Sequence, residues 1–325
     1  LDRQTAKTGK RLTERLALYP AYVQSQDRWV DKNLMPSVLT LSDSEGFARS
    51  ENWTPGAKTE VPSLPYLGGK NIALSSIIKK AVVGKRLTTD NIVSLFSARG
   101  SAFYEICEAA NQLRTETVGD TVTYVTNRNI NYTNVCSYRC QFCAFSKGKL
   151  SENLRGRPYD LDLEEVSRRV SEAWARGATE VCMQGGIHPD YNGATYLKLC
   201  ETVKKTAPAI HIHAFTPLEV SQGASTLGLP IREYLQQLKD AGLGTLPGTA
   251  AEILDDEVRG IICPDKINTA GWLSVMEIAH DLGIRSTATI MFGHVDHPIH
   301  WARHLLRVRD LQERTGGFTE LVPLP

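Results

Sequence analysis

Strand-like and helix-like segments alternate from Thr121 to the end of the chain. The strand-like runs are Val122–Asn134, Glu180–Gln184, His211–Phe215, Gly244–Leu246, Ser286–Met291 and Thr319–Val322. The helical patterns between them are Asp162–Arg176, Ala194–Thr206, Ile231–Ala241, Thr269–Leu282 and Ile299–Arg314. Strands that alternate with helices of this length predict right-handed parallel βαβ units and an α/β fold. The strands are too few for a complete eight-stranded barrel.

A helical region is predicted before the alternating part. Helical patterns cover Ile72–Val83, Asp90–Ser97 and Ala102–Leu113, and the stretch from Leu12 to Arg49 looks helical as well. The stretch from Trp53 to Lys70 is rich in Pro, Gly and Ser, which is typical of a linker. We therefore expect an N-terminal piece (1–54), a linker (55–70), a helical lead-in (71–120) and an α/β core (121–325).

Composition favours an ordinary globular protein of the cell interior. Of the 325 residues, 42% are hydrophobic and 22% are charged, and the formal net charge is +1. Nothing in this balance favours a nucleic acid or an anionic membrane as partner, and no apolar stretch approaches the length of a membrane span. Seven cysteines without a paired framework suit a reducing compartment. We expect a cytoplasmic protein, or an organellar one if the source is eukaryotic, and we interpret the chain as an excerpt of a longer protein.

Three cysteines follow the first predicted strand in a C-x-x-x-C-x-x-C spacing: Cys136, Cys140 and Cys143. No fourth cysteine lies near enough in the sequence to complete the set locally. A four-iron cluster normally takes four thiolates. Three would leave one iron with an open position, where a substrate or cofactor can bind and accept an electron.

A zinc site or a disulfide would account for these cysteines less well. Zinc requires four ligands, and the nearest histidine in the sequence, His188, is far downstream. A disulfide would use two of the three cysteines and suits an oxidising compartment. The remaining cysteines, Cys107, Cys182, Cys200 and Cys263, are most simply small buried hydrophobic residues.

Glycines follow the second predicted strand. Gln184 precedes Gly185 and Gly186, and a backbone without a Cβ can approach a ligand closely. The alternative is a tight turn that requires a positive φ.

Polar residues occupy the third predicted strand and its end. His211 and His213 alternate onto one strand face, which in a barrel can point inward. They could bind substrate or move protons, or be an interior histidine and its neighbour. Glu219 could contact a cofactor or a substrate amine, or face solvent.

Two pairs match the capping-box spacing of a helix N-terminus: Thr249 with Glu252, and Asp162 with Glu165. We interpret both as caps, and a ligand role for Glu252 stays open. His294, His297, His300 and His304, with Asp296 among them, suggest a metal cluster. Pro298 interrupts that segment, so only His300 and His304 can share a helical face, and we do not expect a metal there.

The cysteine run, with Phe142 just before its third cysteine, resembles the signature of the radical S-adenosylmethionine (SAM) enzymes. The resemblance implies a radical SAM partial TIM barrel, (βα)6, after the helical N-terminal region. It implies a 4Fe-4S cluster on the three cysteines, with SAM on the open iron.

The same resemblance implies roles for other residues. The expected SAM contacts are Phe142 at the adenine, Gln184, Gly185 and Gly186 at the amino group, and Glu252. The expected catalytic residues are His213 and Glu219.

Further segments resemble the tyrosine-using half of FO synthases. These segments are Asn131–Asn134, Cys143–Gly148, Met183–Pro189, His213–Glu219, Gly244–Glu252, Ser286–Gly293 and Glu320–Pro325. Leu12–Val23 and Trp29–Asp31 resemble the tail of the deazariboflavin-forming half, which precedes the tyrosine-using half in bifunctional enzymes. Two enzymes of the futalosine route to menaquinone share part of the pattern but have no such leader. Thr216 stands where the pattern has serine.

The resemblance implies transfer of the 4-hydroxybenzyl group of L-tyrosine to 5-amino-6-(D-ribitylamino)uracil in deazaflavin biosynthesis. It implies two partners besides the substrates: an electron donor of the ferredoxin or flavodoxin type, and the deazariboflavin-forming half. The alternatives are an enzyme like aminofutalosine synthase and a non-catalytic iron–sulfur module.

Overall fold

The computed structural model describes residues 31, 33, 72–138, 140, 142, 143 and 158–325. The chain divides into two units, Leu1–Tyr66 and Leu67–Pro325, and nearly all described residues lie in the second. The helical region predicted from Leu12 to Arg49 and the predicted linker lie outside the described residues.

A parallel sheet of six strands forms the centre of the described part. The strands are β1 (Asn127–Asn131), β2 (Glu180–Gln184), β3 (His211–Ala214), β4 (Thr245–Leu246), β5 (Arg285–Met291) and β6 (Phe318–Leu324). Their spatial order is the order of the sequence, and each neighbouring pair is parallel. The predicted α/β fold with six parallel strands is confirmed. The first strand is shorter than predicted, because only five residues of the run pair with β2.

Helices precede the sheet and connect its strands. The helices of the described residues are α1 (Ile72–Val82), α2 (Thr89–Phe96), α3 (Ser101–Val118), α4 (Leu163–Ala175), α5 (Gly193–Thr206), α6 (Pro217–Leu227), α7 (Ile231–Asp240), α8 (Asp256–Ile262), α9 (Thr269–Asp281) and α10 (Pro298–Thr315). The lead-in helices match the predicted patterns, although α3 continues five residues beyond the predicted end. Helices α6 and α8 were not predicted.

One predicted cap is wrong and the other is confirmed. No helix begins at Thr249, because Ala250 and Glu252 have φ of 65° and 46°, which is left-handed backbone. Asp255 is instead the N-cap of α8. The Asp162 carboxylate accepts a hydrogen bond of 2.7 Å from the Glu165 amide and caps α4 as predicted.

The sheet has an apolar face and a polar face. Ile130, Val181, Met183, Ile212 and Ala214 are buried and belong to the main hydrophobic cluster, together with residues of the surrounding helices. Burying each of the larger of these side chains, valine, isoleucine or methionine, stabilises the fold by about 1.5–3 kcal/mol. Alternate positions carry polar side chains, which therefore face the interior of the partial barrel.

The lead-in helices dock on the last helix. The Phe96 ring meets the Trp301 ring edge-on, with centroids 5.0 Å apart. The Arg309 guanidinium donates to the Leu87 carbonyl over 3.1 Å, and Arg86 pairs with Asp310. None of the described helices is both long enough and apolar enough to cross a bilayer.

Candidate active site

The cysteine loop leaves the C-terminal end of β1. Thr133 fixes its start by donating from its hydroxyl to the Tyr159 carbonyl over 2.8 Å. Cys136, Cys140 and Cys143 are free thiols and half-buried. The loop therefore presents its thiols at the C-terminal end of the sheet, the end at which parallel barrels carry their active sites.

The three thiols are suited to a metal group larger than a single ion. Burial raises the pKa of Cys140 to about 11, although Lys266 opposes the rise. Such a thiol ionises readily only when a metal takes the place of the proton. Among the described side chains, the one group close enough together for a single ion is Asp255, Glu257 and His300, not the cysteines. The three sulfur atoms therefore do not all lie within reach of one ion, and three thiolates would leave one iron of a four-iron cluster open.

A cavity of about 290 Å³ opens beside the cysteines. Its lining includes the three cysteines together with Phe142, Gln184, Gly185, Gly186, Glu219 and Glu252. These residues come from the cysteine loop, the end of β2, the start of α6 and the loop after β4. The structure thus brings together every predicted site residue except His213.

Gly185 and Gly186 lie directly against the cysteine loop. A Cβ on Gly185 would lie 2.3 Å from the Tyr132 ring, and one on Gly186 would lie 2.2 Å from the Val135 carbonyl oxygen. Neither glycine has a positive φ, so the alternative of a left-handed turn is wrong. The Ile187 amide donates to the Cys136 sulfur over 3.3 Å. The two glycines therefore let the end of β2 pack on the loop that carries the thiols.

Glu219 is held by hydrogen bonds inside the protein. Only 1% of its surface is exposed. One carboxylate oxygen accepts from the Tyr132 hydroxyl and from the Gly185 amide, the latter over 3.2 Å, and the other accepts from the Thr216 amide over 2.7 Å. Burial raises the pKa of Glu219 against the effect of these bonds. The carboxylate links β1, the glycine segment and the start of α6.

Glu252 forms a buried ion pair with Lys266. Burial opposes the charge on Lys266, but Glu252 and then Cys140 outweigh it and raise the lysine pKa. The ammonium also lies 5.3 Å from the centroid of the Phe142 ring. A fixed positive charge therefore lies in the wall of the cavity, beside the aromatic ring and the cysteines.

His213 lies deeper in the barrel than the cavity. Its Nδ1 is 2.8 Å from the Thr245 hydroxyl. Burial, helped by His211, lowers its pKa to about 4, so the ring is neutral near neutral pH. His213 is in register with Cys182 of β2. Gln184, which lines the cavity, is two residues farther along β2, or about 7 Å.

The sequence model of the radical SAM superfamily matches residues 130–307, more than half of the chain. The chain belongs to the radical SAM superfamily. The matched residues run from the end of β1 to α10 and contain the whole cysteine loop and both cavity-lining glycines.

Curated relatives are similar over most of the chain. FO synthase of Streptomyces coelicolor is 40% identical over 363 aligned residues, which cover 98% of this chain and 41% of the relative. The 5-amino-6-(D-ribitylamino)uracil–L-tyrosine 4-hydroxyphenyl transferase of Archaeoglobus fulgidus is 49% identical over 222 residues, covering 68% of this chain and 62% of the relative. The chain thus spans less than half the length of that FO synthase.

Solved structures show the same fold. The FeFe-hydrogenase maturase HydG of Carboxydothermus hydrogenoformans aligns with a TM-score of 0.58 at 20% identity, covering 78% of this chain and 56% of that one. Methylornithine synthase, PylB, aligns with a TM-score of 0.56 at 19% identity, covering 72% and 64%. At this identity the likeness concerns the radical SAM fold.

Several lining residues of the cavity were not predicted as site residues. Besides Lys266 they include Tyr138, Thr216 and Thr249. The Thr249 hydroxyl is buried and lacks a hydrogen-bond partner among the described residues. Thr249 was noticed in the sequence only as a predicted helix cap, which is not its role in the structure. No motif in the sequence points to Lys266.

The histidines near α10 do not share one site, although the His297 amide donates to His300 Nδ1 over 2.9 Å. The Asp296 carboxylate accepts from the His294 amide over 2.8 Å and from the Trp301 indole. His304 lies on α10, where its Nδ1 accepts from the Leu254 amide over 2.9 Å. His300 contacts Glu257, an exposed residue that also pairs with Arg303.

Proposed function

We propose that this chain transfers the 4-hydroxybenzyl group of L-tyrosine to 5-amino-6-(D-ribitylamino)uracil, the tyrosine-using reaction of deazaflavin synthesis. The observation that carries the proposal is the single cavity that the cysteine triad shares with Gln184, Gly185 and Gly186. The names of the relatives supply the substrates, since one is an FO synthase and another a tyrosine 4-hydroxyphenyl transferase.

Cys136, Cys140 and Cys143 would hold a 4Fe-4S cluster through three thiolates. The cluster and SAM, when bound, supply a 5′-deoxyadenosyl radical that removes a hydrogen atom from tyrosine. The protein binds, orients and shields the reactants. The Ile187 amide stabilises the Cys136 thiolate, and Lys266 places a positive charge near Cys140.

The remaining cavity residues would hold SAM. Gln184, Gly185 and Gly186 would meet the amino group, and Phe142 would pack near the adenine. Glu252 and Lys266 offer one charge of each sign at the cavity wall, and the buried Thr249 hydroxyl offers an unused polar group. Glu219 acts as a positioning residue, because its oxygens are engaged by Tyr132, Gly185 and Thr216.

Two partners follow from the proposed reaction. A one-electron donor of the ferredoxin or flavodoxin type would reduce the cluster, and the deazariboflavin-forming half would close the ring of the product. A cytoplasmic location suits both partners and the reaction.

The test is product mass spectrometry. The chain is reconstituted with iron and sulfide without oxygen, reduced, and supplied with SAM, tyrosine and the diaminouracil. We expect 5′-deoxyadenosine and a uracil adduct that carries the label of ring-labelled tyrosine. Cys140→Ala should abolish both products and the cluster absorbance, whereas Cys107→Ala, a half-buried cysteine on α3, should keep them. Full activity of Cys140→Ala would contradict the proposal.

A further inference from the structure

Two histidines of β3 share one hydroxyl of β4. His211 Nε2 and His213 Nδ1 each lie 2.8 Å from the Thr245 Oγ1 atom. His213 and Thr245 are partners in the register between the two strands. Gly244 makes room for the outer ring, because a Cβ there would lie 2.2 Å from the His211 ring. The arrangement is therefore fixed by the backbone of both strands.

The shared hydroxyl imposes opposite roles on the two rings. A threonine hydroxyl has one proton, so it can donate to only one of the two nitrogens and must accept from the other. If it donates to His213 Nδ1, the His211 Nε2 carries a proton, and His213 carries its own proton on Nε2. In the opposite arrangement the hydroxyl donates to His211 Nε2 and accepts from His213 Nδ1, which leaves His213 Nε2 free to accept a proton. The three groups can thus pass a proton from one end to the other.

The two ends of this arrangement lie in different surroundings. The His211 side chain is 41% exposed, and its Nε2 is 3.9 Å from the Glu180 carboxylate. His213 is more deeply buried and neighbours Cys182, one side-chain layer below the cavity-lining Gln184. The three groups therefore run from solvent at the N-terminal end of the strands to within one side-chain layer of the cavity.

The proposed reaction has a proton to dispose of. The sulfonium of SAM carries one positive charge that neither methionine nor 5′-deoxyadenosine keeps. Tyrosine gives one hydrogen atom to the adenosyl fragment, and the break of its Cα–Cβ bond leaves the imine of glyoxylate beside the 4-hydroxybenzyl group. The uracil substrate gives up one proton and one electron when it gains the benzyl group, and that electron balances the one that cleaves SAM. One proton per turnover must leave the barrel.

We propose that His211, Thr245 and His213 form a proton relay that carries this proton from the barrel interior to solvent. The inference depends on the proposed function for the origin of the proton. The relay itself is argued from the contacts between His211, Thr245 and His213. His213 accepts the proton at Nε2, which has no hydrogen-bond partner among the described residues. The His213 Nδ1 proton passes to the Thr245 hydroxyl, the hydroxyl proton passes to His211 Nε2, and the proton on His211 Nδ1 leaves to solvent. Rotation of the two rings and of the hydroxyl then restores the starting tautomers before the next turnover.

The groups that face the relay are compatible with this direction. His213 has its pKa lowered to about 4, chiefly by burial, so it is neutral before it accepts a proton and releases it readily. Glu180 and Cys182 face the relay from β2, and Arg285 is the register partner of Thr245 on β5. Glu180 lies at the solvent end, where its carboxylate attracts the outgoing proton.

The first experiment reads the two rings in the chain before iron is added. Nitrogen-15 spectra of the histidine rings report which nitrogen carries the proton. We expect His211 and His213 to hold fixed tautomers in the wild type and tautomer mixtures in Thr245→Val, which removes the hydroxyl but keeps the shape. Thr245→Ser should restore the wild-type pattern. Unchanged tautomers in Thr245→Val would overturn the relay.

The second experiment uses the reconstituted enzyme. Thr245→Val should lower uracil adduct formation by on the order of 100-fold and enlarge its solvent deuterium isotope effect, with a change in the pH profile. Thr245→Ser should recover most of the rate. The control is Thr319→Val, an exposed strand threonine that bonds the Ser286 carbonyl over 3.2 Å, and it should behave as wild type.

The outcomes of the second experiment separate the two proposals. Adduct formation and isotope effect that are unchanged in Thr245→Val would overturn the relay. A wild-type enzyme that makes no adduct would instead reject the proposed reaction, and the ring spectra would still decide whether the relay exists.

Discussion

Gly185 and Gly186 lack side chains because the cysteine loop occupies the space that a side chain would need. The Tyr132 ring lies where a Gly185 Cβ would be, and the Val135 carbonyl lies where a Gly186 Cβ would be. The glycines were predicted to bring backbone close to a ligand. The structure adds that the two glycines also bring the backbone at the end of β2 close to the cysteine loop. The same two residues therefore line the cavity and position the loop that carries the thiols.

Gly185→Ala should destabilise the fold by about 1–3 kcal/mol, because the ring of Tyr132 must move. Gly260→Ala is the matched control. Gly260 lies inside α8 with nothing within 4 Å of an added Cβ, so alanine should stabilise the helix by about 0.5–1 kcal/mol. Urea unfolding of the two variants measures both effects. Equal changes of the same sign in the unfolding free energy of the two variants would contradict the close contact between Gly185 and Tyr132.

Lys266→Met should cost about 3 kcal/mol of unfolding free energy, because it leaves the Glu252 carboxylate buried without its partner. Lys239→Met is the control, since Lys239 is an exposed lysine whose ammonium donates to the Leu282 carbonyl over 2.6 Å. The double variant Lys266→Met, Glu252→Gln should recover part of the loss. If Lys266→Met lowered the unfolding free energy no more than Lys239→Met does, the ion pair between Lys266 and Glu252 would be exposed to solvent and not buried.

Individual site residues could be predicted from the sequence where a short motif contains them. Residues that reach the site through contacts between distant segments could not. The cysteines and glycines have a spacing that the chemistry requires. Lys266 meets Glu252 only because the loops after β4 and α8 fold together, which no local pattern encodes. Glu219 was recognised from its strand end, but its burial among Tyr132, Gly185 and Thr216 depends on two other segments.

The same helix-start pattern occurs twice at strand ends, and only one copy starts a helix. Thr216 and Glu219 form a complete capping box at the start of α6, with Pro217 in the first turn. Thr249 and Glu252 have the same spacing but flank Ala250, whose φ is 65°. Proline fixes a φ that suits a first helical turn, whereas left-handed backbone interrupts one. The pair predicted to be a cap, Thr249 with Glu252, is therefore not one, whereas Thr216 with Glu219 is.

Thr216→Ala should therefore cost about 1 kcal/mol of stability, because the Glu219 amide loses its acceptor. Thr249→Ala should cost less or even stabilise, since its buried hydroxyl makes no hydrogen bond within the described structure. Thermal unfolding of the iron-free chain distinguishes the two. A larger loss at Thr249 would show that its hydroxyl has a partner.

Strands and long helices were predictable because their apolar period is strong. The five helices predicted between strands, α4, α5, α7, α9 and α10, begin and end within one residue of their predicted bounds. Helix α8 was missed because it has only seven residues, too few to show a clear apolar period. Helix α6 was missed because its first residues were taken as part of a functional motif.

The molecule as a whole positions its site through parallel strands in sequence order. Each βα unit delivers one segment to the same end of the sheet, so residues from Cys136 to Lys266 line one cavity. The six-stranded topology could be predicted from alternation alone. The polar barrel interior could be predicted only in part, because the contact of His211 and His213 with Thr245 depends on the register of β3 and β4.

Every assignment in the cavity depends on a cubane that three protein thiolates hold and whose remaining iron binds SAM. Mössbauer spectra of the chain reconstituted with iron-57, recorded with and without SAM, report on each iron of such a cluster. We expect one iron site that differs from the other three and changes when SAM is added. Four equivalent irons that do not respond to SAM would rule out this mode of binding.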